Sequence, residues 1–287
     1  MMWIIFAFGS AVFAGITAIL AKLGIRNVDS NLATAVRTVV VLIFACLMVI
    51  IVGSQDTIGD IDSKTLIFLV LSGFATGASW LCYFKAIQLG DINKVAPIDK
   101  FSVVLTMILA ISFLHEAVTV SIIVGIITIG IGTYLMAYDR RIDVKVMAGN
   151  QWLIFAILSA VFASLTSILA KVGIQGVESN LGTAIRTVVV LIMAWVMVFV
   201  VKKQSEIKHI DRHSWMFLCL SGIATGASWL CFYKALQIGP ASIVVPIDKL
   251  SIVFTIAFSF LFLKERLTVK PIIGLVLIVG GTLVLLV

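Results

Sequence analysis

The chain repeats itself without a gap. The block LSGFATGASWLCYFKAIQLG, Leu71 to Gly90, returns as LSGIATGASWLCFYKALQIG, Leu220 to Gly239. Roughly half of all positions paired at that spacing are identical, the mark of a duplication and fusion. Each copy holds five apolar runs bounded by Gly, Asn, Asp and Ser clusters. In the first they are 3–25, 32–53, 65–89, 94–114 and 119–138; in the second, 152–174, 181–201, 214–238, 243–263 and 268–287. An odd number of crossings starts the second copy on the opposite side of a bilayer from the first, so the halves must be inverted relative to each other.

That a bilayer is involved follows from composition. Of 287 residues, 61% are hydrophobic and 12% charged, where a soluble domain has roughly 45–50% and about 25%. At about 20 residues per crossing the chain accommodates about ten helices and little else. The expected fold is an all-α polytopic membrane protein of ten transmembrane helices, arranged as two inverted five-helix repeats, residues 1–138 and 150–287, joined by a cytoplasmic linker at 139–149. The start, Met1 to Phe6, lacks the positive stretch of a cleaved signal peptide, so the first helix is expected to stay. Cys46, Cys82, Cys219 and Cys231 lie in apolar runs without CxxC spacing. They read as small core hydrophobes, with neither a disulfide framework nor a zinc site.

The net charge of +7 is first a topology signal. Loops after the odd-numbered runs carry Arg26, Lys94, Arg140, Arg141, Lys145, Lys202, Lys203, Lys208, Arg212, Lys264, Arg266 and Lys270, whereas those after the even-numbered runs carry Lys64. Positive residues gather in cytoplasmic loops, which places both termini outside, in a cell (plasma or inner) membrane. Matched loops diverge accordingly: Gly53-Ser54-Gln55-Asp56-Thr57 corresponds to Lys202-Lys203-Gln204-Ser205-Glu206.

Each repeat ends in a Leu-x-Glu corner followed by a Gly-containing helix, Leu114-His115-Glu116 with Gly125 and Leu263-Lys264-Glu265 with Gly274. Over its whole length the chain resembles the EamA-type drug/metabolite transporter superfamily. The resemblance implies a carrier of small metabolites working by alternating access around a central cavity between inverted bundles. Where many relatives have a proline about thirteen residues before the corner glutamate, this chain has Val103 and Ile252. Its prolines, Pro97 and Pro246, lie about six residues earlier, and that stretch is expected to line the cavity.

Ionisable side chains within the apolar runs are costly and mark function by default. Lys22, Arg37, Lys85, Asp99 and Lys100 recur as Lys171, Arg186, Lys234, Asp248 and Lys249, which gives one charged layer per half, on opposite sides. Snorkelling to the headgroups accounts for Lys22 and Lys85. It does not account for the second copies, which face the outer leaflet, where the positive-inside bias should have removed them. Arg37 and Arg186 offer forked donors suited to carboxylate or phosphate; an internal ion pair with Asp99 or Asp248 is the alternative. Pro97 and Pro246 mark a helix start or break. The small-residue run from Ser72 to Ser79 and its copy from Ser221 to Ser228 suit tight helix packing. Trp80 and Trp229, with Tyr83 and Tyr233, could face the cavity or anchor the interface. Glu116 and Glu265 are expected to pin the corners, and His209 and His213 to be solvated.

Eight Lys or Arg against two Asp favour a small anionic or zwitterionic substrate: an amino acid, organic acid or phosphorylated compound. The substrate-binding candidates are thus Arg37, Arg186, Lys85, Lys234, Asp99, Asp248, Lys100, Lys249, Lys22, Lys171, Trp80 and Trp229. A cationic drug exporter, a lipid-carrier flippase and an intramembrane structural or partner subunit are the other readings. No HExxH, GxSxG or phosphate-loop motif occurs, so no enzyme, cofactor, metal or nucleic-acid role is expected. The expected partners are the small-molecule substrate and the bilayer. Proton coupling and exchange with a counter-substrate both fit, as do monomer and homodimer.

Overall fold

A computed structural model describes residues 2–25, 28–89, 95, 98–137, 151–263 and 269–287. The helices are α1 (Met2–Gly24), α2 (Ser30–Val52), α3 (Ser63–Leu89), α4 (Ser102–Leu114), α5 (Val120–Ala137), α6 (Gln151–Gly173), α7 (Ser179–Val200), α8 (Arg212–Ile238), α9 (Ala241–Lys249), α10 (Ser251–Leu263) and α11 (Val269–Val284), with no strand among the described residues. Six of them, α1, α2, α3, α6, α7 and α8, are long and apolar enough to cross a membrane. Pro97, Glu265, the linker at 139–149 and the charges Arg26, Lys94, Arg140, Arg141, Lys145, Lys264 and Arg266 lie outside the described residues.

Local chemistry starts the helices in matched fashion. The Asp29 carboxylate accepts from the amides of Asn31 and Leu32, and Glu178, at the same place in the second repeat, accepts from Asn180 and Leu181. Each satisfies donors that a helix start leaves unpaired. Within the apolar runs, threonine hydroxyls bond back to carbonyls one turn earlier, as Thr34 to Ser30 and Thr183 to Ser179 do at 2.7 Å, which removes a polar group from the hydrocarbon.

The ninth apolar run departs from a single helix. Pro246 sits inside α9 and removes one amide from its ladder. The chain breaks four residues later at Leu250, whose amide turns back to the Ile247 carbonyl at 3.0 Å. In the first repeat Phe101 makes the same turn to Ile98 at 3.1 Å.

The principal contacts between helices run across the repeats rather than within them. The pairs α1 with α8 and α3 with α6 are matched, and α2 packs on α7 and α5 on α11. Glycines permit the approach. A methyl on Gly73 would lie 2.7 Å from the Val189 Cβ, and one on Gly222 2.6 Å from the Val40 Cβ. Such backbone closeness is how helices associate where lipid removes the hydrophobic drive between them.

The connections sort by parity. Those after α2, α4, α6 and α8 meet at one end, where Lys64, Glu116, Gln175 and Pro240 line a cavity of about 640 Å³. The connections after α1 and α7 meet at the other end through Val28, Ile207 and Ile210, packed against Leu32 and Leu218.

Candidate functional site

Two matched serine–carboxylate clusters flank the centre. The Ser10 hydroxyl on α1 donates to Asp248 at 2.5 Å, and the Ser159 hydroxyl on α6 donates to Asp99 at 2.6 Å. Behind them, Ser228 of α8 donates to the Ser10 carbonyl and Ser79 of α3 to the Ser159 carbonyl, each at 3.1 Å. Every link joins one repeat to the other. The Lys249 ammonium stands 3.3 Å from the second oxygen of Asp248. Each carboxylate therefore has a hydroxyl donor, which a buried charge needs.

The arginines reach across in the same sense. Arg37 Nη2 donates to Thr225 Oγ1 and Arg186 Nη2 to Thr76 Oγ1, both at 2.8 Å, so the acceptors lie at mid-length in α8 and α3. Arg186 is held further, by Nε to the Ser72 hydroxyl at 3.3 Å and by its position over the rings of Trp229, at 5.3 Å, and Tyr233, at 4.5 Å. It is 1% exposed. Among the described residues, the acceptors found for the two guanidinium groups are hydroxyls of the other repeat. Each guanidinium also keeps a buried nitrogen without an acceptor, Nε in Arg37 and Nη1 in Arg186. A buried donor left unpaired costs about 1–3 kcal/mol.

These groups line one space. A lobe of about 380 Å³ is walled by Arg186, Tyr233, Asp248 and Lys249. A second, of about 450 Å³, is walled by Arg37, Tyr83, Asp99 and Lys100. Ser79, Trp80, Trp229 and Lys249 belong to both. The two charged layers expected from the sequence thus converge, because Arg37 and Arg186 extend toward the middle from opposite sides. Four cations against two carboxylates leave the cavity a formal +2.

The remaining lysines among the candidates are placed elsewhere. Lys171 donates to the carbonyls of Leu236 at 2.5 Å and Gly239 at 2.7 Å, closing the end of α8, and Lys234 donates to Gln237 at 3.1 Å. Lys22 and Lys85 are exposed and line neither lobe. Glu116 accepts from the first amides of α9, Ala241 at 2.6 Å and Ser242 at 2.9 Å. It pins its corner to the other repeat by capping a helix start.

Sequence reasoning missed Ser10 and Ser159 as the carboxylates' donors, and Thr76 and Thr225 as the arginines' acceptors. The available signal was their identity at matched positions in otherwise apolar runs.

Comparison with known proteins bears on the fold and its use. The model of the EamA-like transporter family matches residues 1–138 and 150–287. An uncharacterized transporter in the cobO 3′ region of a Sinorhizobium species is 44% identical over 136 residues, 47% of this chain and 96% of that protein. An uncharacterized transporter of Archaeoglobus fulgidus is 22% identical over 290 residues, spanning 100% of this chain and 98% of its own. A solved protein crystal structure shares the fold over 99% of this chain and 96% of that one, with a TM-score of 0.76 at 15% identity. With both of its repeats matched and its helices apolar enough to cross a bilayer repeatedly, this chain belongs to the EamA-like transporter family and is a multi-pass membrane protein.

Proposed function

We propose that the protein is a secondary carrier that moves a small anionic or zwitterionic metabolite across the cell membrane by alternating access, with the cavity between the repeats as its binding site. The observation that carries this reading is the pair of guanidinium groups that line, with Lys100 and Lys249, a cavity of net positive charge. Carboxylate and phosphate offer the acceptors that such a fork requires. Lobes of about 380 and 450 Å³ fall within the range of small-molecule sites, roughly 300–1,000 Å³.

The arrangement proposed for the chain is ten crossings in two inverted repeats, with both termini outside. Lys202, Lys203, Lys208 and Arg212 gather at the end opposite Lys64, which supports that orientation through the positive-inside rule. Cysteines introduced at Asp60 and Lys203 test it: a membrane-impermeant reagent applied from outside should label the first and not the second.

Binding and transport are tested by a thermal-shift screen of metabolites on the purified protein, followed by flux in liposomes with and without a pH gradient. Arg37→Ala and Arg186→Ala should abolish uptake while leaving folded protein in the membrane. Near-normal uptake in both variants would overturn the assignment.

A further inference from the structure

Beside the two charged lobes lies a third, of about 420 Å³ and mostly apolar lining. Its walls include Val103, Ile129, Met136, Pro246, Ile252 and Ile278, and Lys100 and Lys249 stand in its lining as well. Lys249 also lines both charged lobes, and Lys100 lines the one that holds Arg37. The apolar lobe thus adjoins the charged cavity at these two lysines.

Its position is set by both repeats. Val103 and Ile252, Ile129 and Ile278, and Lys100 and Lys249 are matched pairs, and both members of each pair line it. The lobe therefore straddles the axis that relates the halves, and no single irregular helix accounts for it. Unfilled apolar volume destabilises a fold in proportion to its size, and the exposed ammonium groups of Lys100 and Lys249, the second of which stands 3.3 Å from Asp248, remain open to a further anionic group. One ligand meets both demands, if it presents an acidic head to the cations and an apolar body to the lobe.

We infer that the transported metabolite is an amphiphilic anion: its acidic head is held in the charged lobes by Arg37, Arg186, Lys100 and Lys249, and its apolar body is lodged between Val103, Ile129, Ile252 and Ile278. This inference rests on the carrier reading proposed above and narrows it from small acids in general to acids with an apolar moiety. The positions that replace the proline of many relatives, Val103 and Ile252, then set which apolar bodies fit.

The test is a series of straight-chain monocarboxylates from acetate to octanoate, set against alcohols of equal length, with binding read by thermal shift or calorimetry on the purified full chain. Affinity should rise about threefold to fourfold per methylene until the lobe is filled, and the alcohols should bind far more weakly. Ile252→Phe should flatten the rise in affinity for the longer acids. Thr255→Leu, which adds volume from another residue on the wall of the same lobe, should do so as well, which guards against misfolding of the first variant. Acetate and phosphate binding without any dependence on chain length overturns the amphiphile and leaves the charged site standing. Alcohols that bind as well as the acids, with the same rise in Arg37→Ala, place a lipid tail in the lobe and likewise overturn it. If no acid binds and Arg37→Ala changes nothing, the carrier reading itself fails.

Discussion

The guanidinium carbon of Arg186 stands 4.5 Å from the centre of the Tyr233 ring. Phe84 occupies the matching place in the first repeat, and Tyr83 corresponds to Phe232. The duplicated Tyr and Phe have exchanged places, so the two arginines are not equivalent. Arg186 is stacked and buried, with four protein contacts that hold its plane, while Arg37 is partly exposed and has one hydroxyl acceptor, Thr225.

A stacked, desolvated arginine gains about 1–2 kcal/mol from an aromatic face. Tyr233→Leu should therefore lower uptake about tenfold, while Tyr233→Phe, which keeps the ring, should stay within twofold. Initial-rate uptake in liposomes reads both, and equal losses in the two variants would assign the role to the hydroxyl instead.

The bond between Ser10 and Asp248 joins α1 to the end of α9, beside the break in the ninth run, across the repeats. Hydrogen bonds to charged groups contribute about 1.5–3 kcal/mol. Ser10→Ala and Asp248→Asn should each destabilise the protein in detergent, and the double variant should lose less than the sum, with a coupling of about 1–2 kcal/mol. Strict additivity contradicts the pairing.

Packing between the repeats depends on Gly222, where an added methyl would meet the Val40 Cβ at 2.6 Å. Gly222→Ala should cost about 1–3 kcal/mol by overpacking, and Val40→Ala should recover part of that loss. A denaturation series on the three variants decides it; no recovery would mean that the glycine serves the backbone of α8 and not its neighbour.

Outside the membrane-spanning segments, Asp211 accepts from the Ser214 hydroxyl at 2.7 Å and the Ser214 amide at 3.0 Å. These bonds hold its carboxyl below its ordinary value of 3.8. Because the folded value is the lower one, the cap's contribution is present in full above about 3.8 and is lost as pH falls through the depressed value. Amide exchange at the first turn of α8 should quicken in that acid range. In Asp211→Ala the turn should exchange fast throughout, and a wild-type turn indifferent to acid would dissociate the cap from the charge.

The repeat, the apolar runs and the parity of their connections were readable in the sequence, because duplication leaves identical residues and bilayer thickness sets run length. The face on which each charge lies was not. Helices surrounded by apolar residues carry no amphipathic stripe, so Lys22 and Lys85 stood among the binding candidates with Arg37 although snorkelling accounted for them, and of the three Arg37 lines the cavity. Lys171 likewise resembled a ligand for an anion, yet it closes the carbonyl end of α8. The break in the ninth run fell at Leu250, directly after the stretch Pro246-Ile247-Asp248-Lys249 read as a helix start or break, because a helix tolerates the missing amide while the turn at Ile247 decides where the axis bends. The serine and threonine partners of the charges were invisible for a similar reason: a hydroxyl in an apolar run bonds back to its own helix as readily as across to another.

The central claim is that the cavity shared by the two repeats carries an acidic metabolite, and counterflow in liposomes tests it most directly. Liposomes holding wild-type protein and preloaded with the acid that most stabilises it should accumulate labelled acid from outside. Those holding Arg37→Ala at equal density should not. Equal accumulation in both would show that the acid does not pass the guanidinium, and the account would be wrong.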